Sequence, residues 1–126
     1  MTDTKPTRIV WMSRHTPTPC QLRDLKAEWP DHELLPDVRP FDSADDIIER
    51  FRKAQGDELL VVAPLSVVQA ITKKGIDILW AEMRQVPCSD ERVEVRIKNR
   101  CYRFISFKRV AGIKIITKPL HPTKEQ

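Results

Sequence analysis

Glycine is scarce in this chain: Gly56, Gly75 and Gly112 are all there are in 126 residues. Three scattered glycines build neither G-x-G-x-x-G nor G-x-x-x-x-G-K-[ST], so the phosphate loops of dinucleotide enzymes and nucleoside triphosphatases are excluded. Histidine is equally sparse. His15, His32 and His121 lie far apart without metal-ligand spacing, and no serine sits in a G-x-S-x-G elbow; a metal site, a hydrolase triad and a bound cofactor therefore have no support. Cys20, Cys88 and Cys101 are odd in number and form no C-x-x-C pair, which reads as reduced, structural thiols rather than a disulfide framework or zinc site. No apolar run reaches the roughly 18 residues that a membrane span requires. The opening Met1-Thr2-Asp3-Thr4-Lys5-Pro6 lacks the basic and apolar parts of a secretory signal. The expectation is a cytoplasmic protein with no membrane partner.

What is present fits one domain over residues 1–126, large enough to bury a core without staples. Its charge is unevenly placed. Residues 1–91 carry 12 Lys and Arg against 16 Asp and Glu, whereas residues 92–126 carry 10 against 2. The chain thus divides into an α/β body at 7–84 and a basic β meander at 91–118, with residues 1–6 and about 119–126 expected to fray. The basic module is either a footprint for a polyanion or the solvated outer face of a sheet.

Three helix starts share one pattern. Thr18-Pro19-Cys20-Gln21 offers a cap, a proline at the first helical position and a Gln three residues on; Ser43 to Asp46 and Ser66 to Gln69 repeat the spacing. Leu22, Leu25 and Trp29 form an apolar stripe on the first helix, and Ile47, Ile48, Phe51 and Ala54 form one on the second. Gly56 and Gly75 fall where left-handed residues would end the second and third helices. Between the helices, Ile9–Met12, Leu59–Ala63 and Ile76–Trp80 are almost continuously apolar, as strands covered on both faces are. His32–Phe41, punctuated by Pro36 and Pro40, reads as an edge strand. Right-handed crossovers then give a Rossmann-like parallel sheet of order 2-1-3-4 with three helices. A C-terminal antiparallel meander follows: Val93, Val95 and Ile97 alternate with charges, Asn99-Arg100 looks like a turn, and Tyr102–Val110 and Ile113–Thr117 look like strands. Its apolar residues call for an extension of the sheet, a layer upon it, or a second subunit.

In an open α/β sheet, ligands bind at the carboxyl ends of the strands, beside helix amino termini that favour anions. This rule puts Ser13, Arg14 and His15, after the first strand, opposite Pro64, Leu65 and Ser66 after the third. Asp42 and Ser43 flank the crevice on one side, and Glu82, Met83 and Arg84 on the other. Arg14 is a permanent planar cation suited to phosphate, His15 is the candidate general acid or base, and Ser13 and Ser66 offer hydroxyls. Structural roles compete: Ser66 as a helix cap, His15 satisfying a turn, Arg14 paired with Asp42 or Glu82, and Glu82 paired with Arg84. Trp11, Trp29 and Trp80 read as core aromatics. The run Arg100-Cys101-Tyr102-Arg103-Phe104-Ile105-Ser106-Phe107-Lys108-Arg109 offers Arg100, Arg103, Lys108 and Arg109 to nucleic acid, or else turns its aromatics to the core and its charges to water.

A first strand ending in Arg14-His15, and a later strand running through Ala63, Pro64 and Leu65 into a helix whose glycine leads to the strand at Trp80, resembles the small single-domain CRISPR-associated proteins with a CARF-like Rossmann fold. The resemblance spans residues 8–83; the basic meander lies outside it. It implies a homodimer that binds cyclic oligoadenylate across its two-fold axis at these strand ends, with Ser13, Arg14 and His15 at the first tip and Leu65 and Ser66 at the second. Some members of that family cleave the ligand as metal-independent ring nucleases. The sequence thus supports a domain that senses, sequesters or degrades an anionic nucleotide, an adaptor that binds nucleic acid or protein through its basic meander, or a purely structural module.

Overall fold

Local chemistry places the helices of the computed structural model, which describes residues 5–121. Readings made of residues 1–4 and 122–126 lie outside the described residues. Helix α1 (Pro19–Glu28) opens on a complete capping box: the Thr18 hydroxyl accepts from the Gln21 N–H and the Gln21 side chain accepts from the Thr18 N–H. Ser43 caps α2 (Ala44–Lys53) by accepting from the Asp46 N–H. The third start differs from expectation. Helix α3 (Leu65–Lys73) begins with Pro64 at the cap position and no side-chain cap bond, so Ser66 lies inside the first turn. The fixed φ of proline leads directly into the helix, and the Pro64 carbonyl accepts from the N–H groups of Val67 and Val68.

Gly75 ends α3 with φ of +85°, as expected of a left-handed residue. Gly56 does not play that part after α2, because Gln55 takes the left-handed conformation with φ of +54°. Glycine is needed at 56 for a different reason: a Cβ there would lie 2.6 Å from both the Phe51 ring and Val10 Cγ2. Gly56→Ala is therefore expected to cost about 1–3 kcal/mol through overpacking. Gly75→Asn, into open space and a conformation that asparagine tolerates, should cost less. Chemical denaturation of the two variants checks the order.

Strands β1 (Thr7–Met12), β2 (His32–Pro36), β3 (Glu58–Val61) and β4 (Ile78–Val86) are parallel in the order β2-β1-β3-β4. Beyond β4 the sheet continues antiparallel through β6 (Arg100–Val110) to β5 (Val95–Ile97), so the basic meander extends the body's own sheet. The hairpin turn is Lys98-Asn99, both with positive φ, the geometry of a two-residue primed turn. The expected strand at Ile113–Thr117 does not form. After Val110 the chain crosses towards α3, where the Gln69 side chain donates to the Ile113 carbonyl. Strand β4 runs six residues further than expected, because β6 gives Ala81–Val86 a partner.

Alternation in the apolar strands feeds two cores. Ile9, Trp11, Leu60 and Leu79 meet Leu25 of α1 on one face, and Val10, Met12, Leu59, Val61 and Ile78 meet α2 and α3 on the other. Trp11 joins the first core and Trp29 packs half-buried beside it, but Trp80 is 52% exposed and not a core aromatic. Helix α1 also departs from its expected stripe. It buries Leu25 and Gln21 while Leu22 faces solvent, because Gln21 both completes the cap and donates to the Met83 sulfur.

The thiol reading is corrected as well. Cys88 and Cys101 form a disulfide across the ends of β4 and β6, leaving Cys20 free. Separation in sequence hid the pair, since only the antiparallel return of β6, with Val86 opposite Cys101, brings the two together. Disulfides are rare in a reducing cytosol, so this bond fits poorly with a set of reduced thiols. Among the described residues no helix is long and apolar enough to cross a membrane.

Candidate functional site at the tip of β1

Where β1 leaves the sheet, its chain changes from fully buried Trp11 and Met12 to exposed Arg14 and His15. Two bonds shape the turn. The Trp11 indole N–H donates to the His15 carbonyl at 2.8 Å, and the His15 N–H donates to Ser13 Oγ at 3.2 Å. Ser13 thus closes a local turn, and the His15 backbone is satisfied without its ring. The Arg14 guanidinium has no ion-pair partner among the described residues, neither Asp42 nor Glu82.

The opposite wall is the loop that follows β2. The Asp37 N–H donates to the Trp11 carbonyl, carrying the parallel pairing one step past Pro36. The Asp37 carboxylate is gripped by Arg39 at 2.7 and 2.9 Å and approached by Arg50 at 3.7 Å. Arg50 also donates to the carbonyls of Arg39 and Pro40 and to Asp46, which ties the loop to α2. Ser13, Arg14 and His15 thereby share a cavity of about 390 Å³ with the paired Asp37 and Arg39 and with the apolar side chains of Met12, Val38, Phe41 and Val62, so that Arg14 is its one cation without an ion-pair partner among the described residues. A larger groove of about 850 Å³ runs down β1 and α2, but its Arg8, Lys53 and Arg50 are already paired with Glu33, Glu49 and Asp46.

The other expected site residues lie elsewhere. Leu65 lines a separate apolar groove at the end of β3 and the start of β4. Neither Ser66 nor Ser43 reaches the tip cavity, the first lying within α3 and the second capping α2. Glu82 and Arg84 lie within β4 rather than after it. Glu82 pairs with Lys108 at 2.7 Å instead of Arg84, and Arg109 pairs with Glu58 at 2.7 Å. Arg100 is exposed beside the hairpin turn, and Arg103 faces Arg84 across the β4–β6 ladder.

The amino terminus of α1, a natural anion site, is occupied by the chain itself. The Glu94 carboxylate accepts from the Cys20 N–H at 3.1 Å and the Thr18 hydroxyl at 3.2 Å. Glu94 was invisible as a capping partner in the sequence, 76 residues from Thr18. Val38, Arg39 and Phe41 were also missed, though a signal existed: β2 neighbours β1 in the predicted order, so the residues after Pro36 had to stand beside Ser13.

The Arg39 bond holds the Asp37 carboxyl below its ordinary range, aided by charge from Arg50. A depressed folded value means that ionised Asp37 stabilises the loop above the ordinary carboxylate range of about pH 4, and that this stabilisation is lost as pH falls through the folded value. Urea midpoints should therefore drop on acidification below that range, and Arg39→Gln should flatten part of the drop. An unchanged acid profile in that variant would show that the Asp37–Arg39 pair does not hold the wall.

Comparison with protein-family models, with curated proteins and with solved structures finds no match to this chain.

Proposed function

We propose that the protein binds an anionic nucleotide at the β1 tip, with Arg14 as its phosphate contact. The observation that carries this reading is Arg14, without an ion-pair partner among the described residues, in a cavity that it shares with the apolar side chains of Met12, Val38, Phe41 and Val62. A permanent guanidinium offers bidentate hydrogen bonds to phosphate, while Phe41, Val38 and Val62 offer a surface to a base. At about 390 Å³ the cavity falls within the roughly 300–1,000 Å³ usual for small-molecule sites. His15 stands beside Arg14, its ring without a hydrogen-bond partner among the described residues, and is the group we assign to any proton transfer at the ligand.

The resemblance to CARF-like proteins names the first ligand to try, a cyclic oligoadenylate held between the tips of two copies. The experiment is a titration with cyclic oligoadenylates, linear oligoadenylates and mononucleotides, followed through the Trp11 indole N–H resonance, whose proton is bonded to the tip turn. Binding should shift that resonance. If no nucleotide shifts it or stabilises the fold, the proposal fails.

A further inference from the structure

We propose that the uncovered face of the β4–β6–β5 extension is a docking surface for single-stranded nucleic acid, separate from the nucleotide cavity. The two cores define the face. Ile78 packs under α3, so by alternation Trp80, Glu82 and Arg84 point to the same side, joined across the ladder by Lys108, Ser106 and Arg103, the register shift after Glu82 keeping Arg103 on that side; Val86 and the buried Cys101 close its upper end. Helix α3 covers only the lower end of this strip. Above it Trp80 is 52% exposed, beside exposed Leu65 and Val62, over an apolar groove of about 500 Å³.

Charge decides the occupant. Arg84 stands directly opposite Arg103 on neighbouring strands, an arrangement of like charges that destabilises a sheet. Neither arginine has an ion-pair partner among the described residues; Glu82 is taken by Lys108, and Asp90, on the loop after β4, is bonded to Arg92 and offsets the charge of Arg103 only from a distance. Arg96, across from Cys101, adds a third cation to the face. A second copy of this chain, docking by a two-fold axis, would bring more arginines against these. A polyanion relieves the repulsion instead. The exposed indole points to single strands, whose free bases stack on aromatic side chains, whereas the bases of a duplex are already stacked. The surface differs from the basic set expected from the sequence: Lys108 and Arg109 are paired with acids, while Trp80, Arg84 and Arg96 enter.

Fluorescence anisotropy with a labelled oligothymidylate of about 20 nucleotides, longer than the 4–16 nucleotides that a small β domain typically covers, tests the assignment. The single strand should bind better than a duplex of the same length, and binding should weaken between about 50 and 200 mM salt. Trp80→Ala should lower affinity roughly tenfold or more. Arg84→Ala with Arg103→Ala should reduce the salt slope by about 1.4, which is about 0.7 for each phosphate deprived of its cation. Arg109→Ala, which removes a cation already paired with Glu58, should leave binding within about twofold, and circular dichroism establishes that each variant is folded. The proposal is overturned if the single strand does not bind at low salt, if duplex binds better, or if Arg109→Ala weakens binding as much as Trp80→Ala. It is also overturned if sedimentation shows the wild type to be a dimer that Trp80→Ala dissociates, which would make the face a self-interface. Arg14→Ala should leave oligonucleotide binding intact, so loss of one site is distinguishable from loss of the other.

Discussion

Replacing Leu25 by alanine is expected to lower the unfolding free energy by about 3 kcal/mol, within the roughly 2–5 kcal/mol seen for such truncations in close-packed cores. Leu25 is 0% exposed and is the one buried aliphatic side chain that α1 inserts among Ile9, Trp11, Leu60 and Leu79. Its neighbours belong to three central strands that cannot collapse into the space, so both the lost burial and the cavity count in full. A loss of this size is a large share of the 5–15 kcal/mol that a domain of this kind commands. Leu22→Ala is the contrast. Leu22 is 44% exposed, and its truncation should cost under about 1 kcal/mol. Urea unfolding of both variants decides the matter, and equal losses would mean that α1 is rotated from the orientation described.

Breaking the Cys88–Cys101 disulfide should cost a similar amount. The bond closes a loop of 13 residues, for which the chain-entropy relation gives about 3 kcal/mol. The loop contains β5 and Glu94, so reduction should also free the carboxylate that holds the start of α1. Two readouts follow. The thermal midpoint should fall in the presence of reductant and in the Cys88→Ser, Cys101→Ser double variant, and the Cys20 amide should exchange faster with solvent. If reductant leaves both unchanged, the bond does not brace the extension.

The parallel order was legible because its signals are local. Helix caps at Thr18 and Ser43, apolar runs of strand length and right-handed crossovers each act within a few residues, and together they permit few topologies. Features that failed to show depend on contacts distant in sequence. Glu94 reaches Thr18 only through the returning hairpin, Cys88 meets Cys101 only through β6, and Trp80 is exposed because α3 stops covering β4 below it. Gly56 shows the same limit in miniature: its position after a helix suggested a left-handed end, whereas the packing of Phe51 and Val10 is what requires it. For the candidate site, the tip turn at Ser13, Arg14 and His15 could be read from a polar break after an apolar strand. Its partner wall was misplaced, since both neighbours of β1 present loops at that level and the one after β3 leads straight into a helix; the loop after β2, beside β1 in the predicted order, closes the cavity instead.

The most direct test is a calorimetric titration of the wild type and of Arg14→Ala with cyclic oligoadenylates and mononucleotides, with Arg84→Ala as the control on the other surface. Loss of a charge-assisted bidentate contact to phosphate, worth about 1.5–3 kcal/mol, predicts that Arg14→Ala binds at least tenfold more weakly while Arg84→Ala binds as the wild type does. Equal affinity in the wild type and Arg14→Ala, or no heat of binding from any nucleotide, would contradict a nucleotide site at the β1 tip.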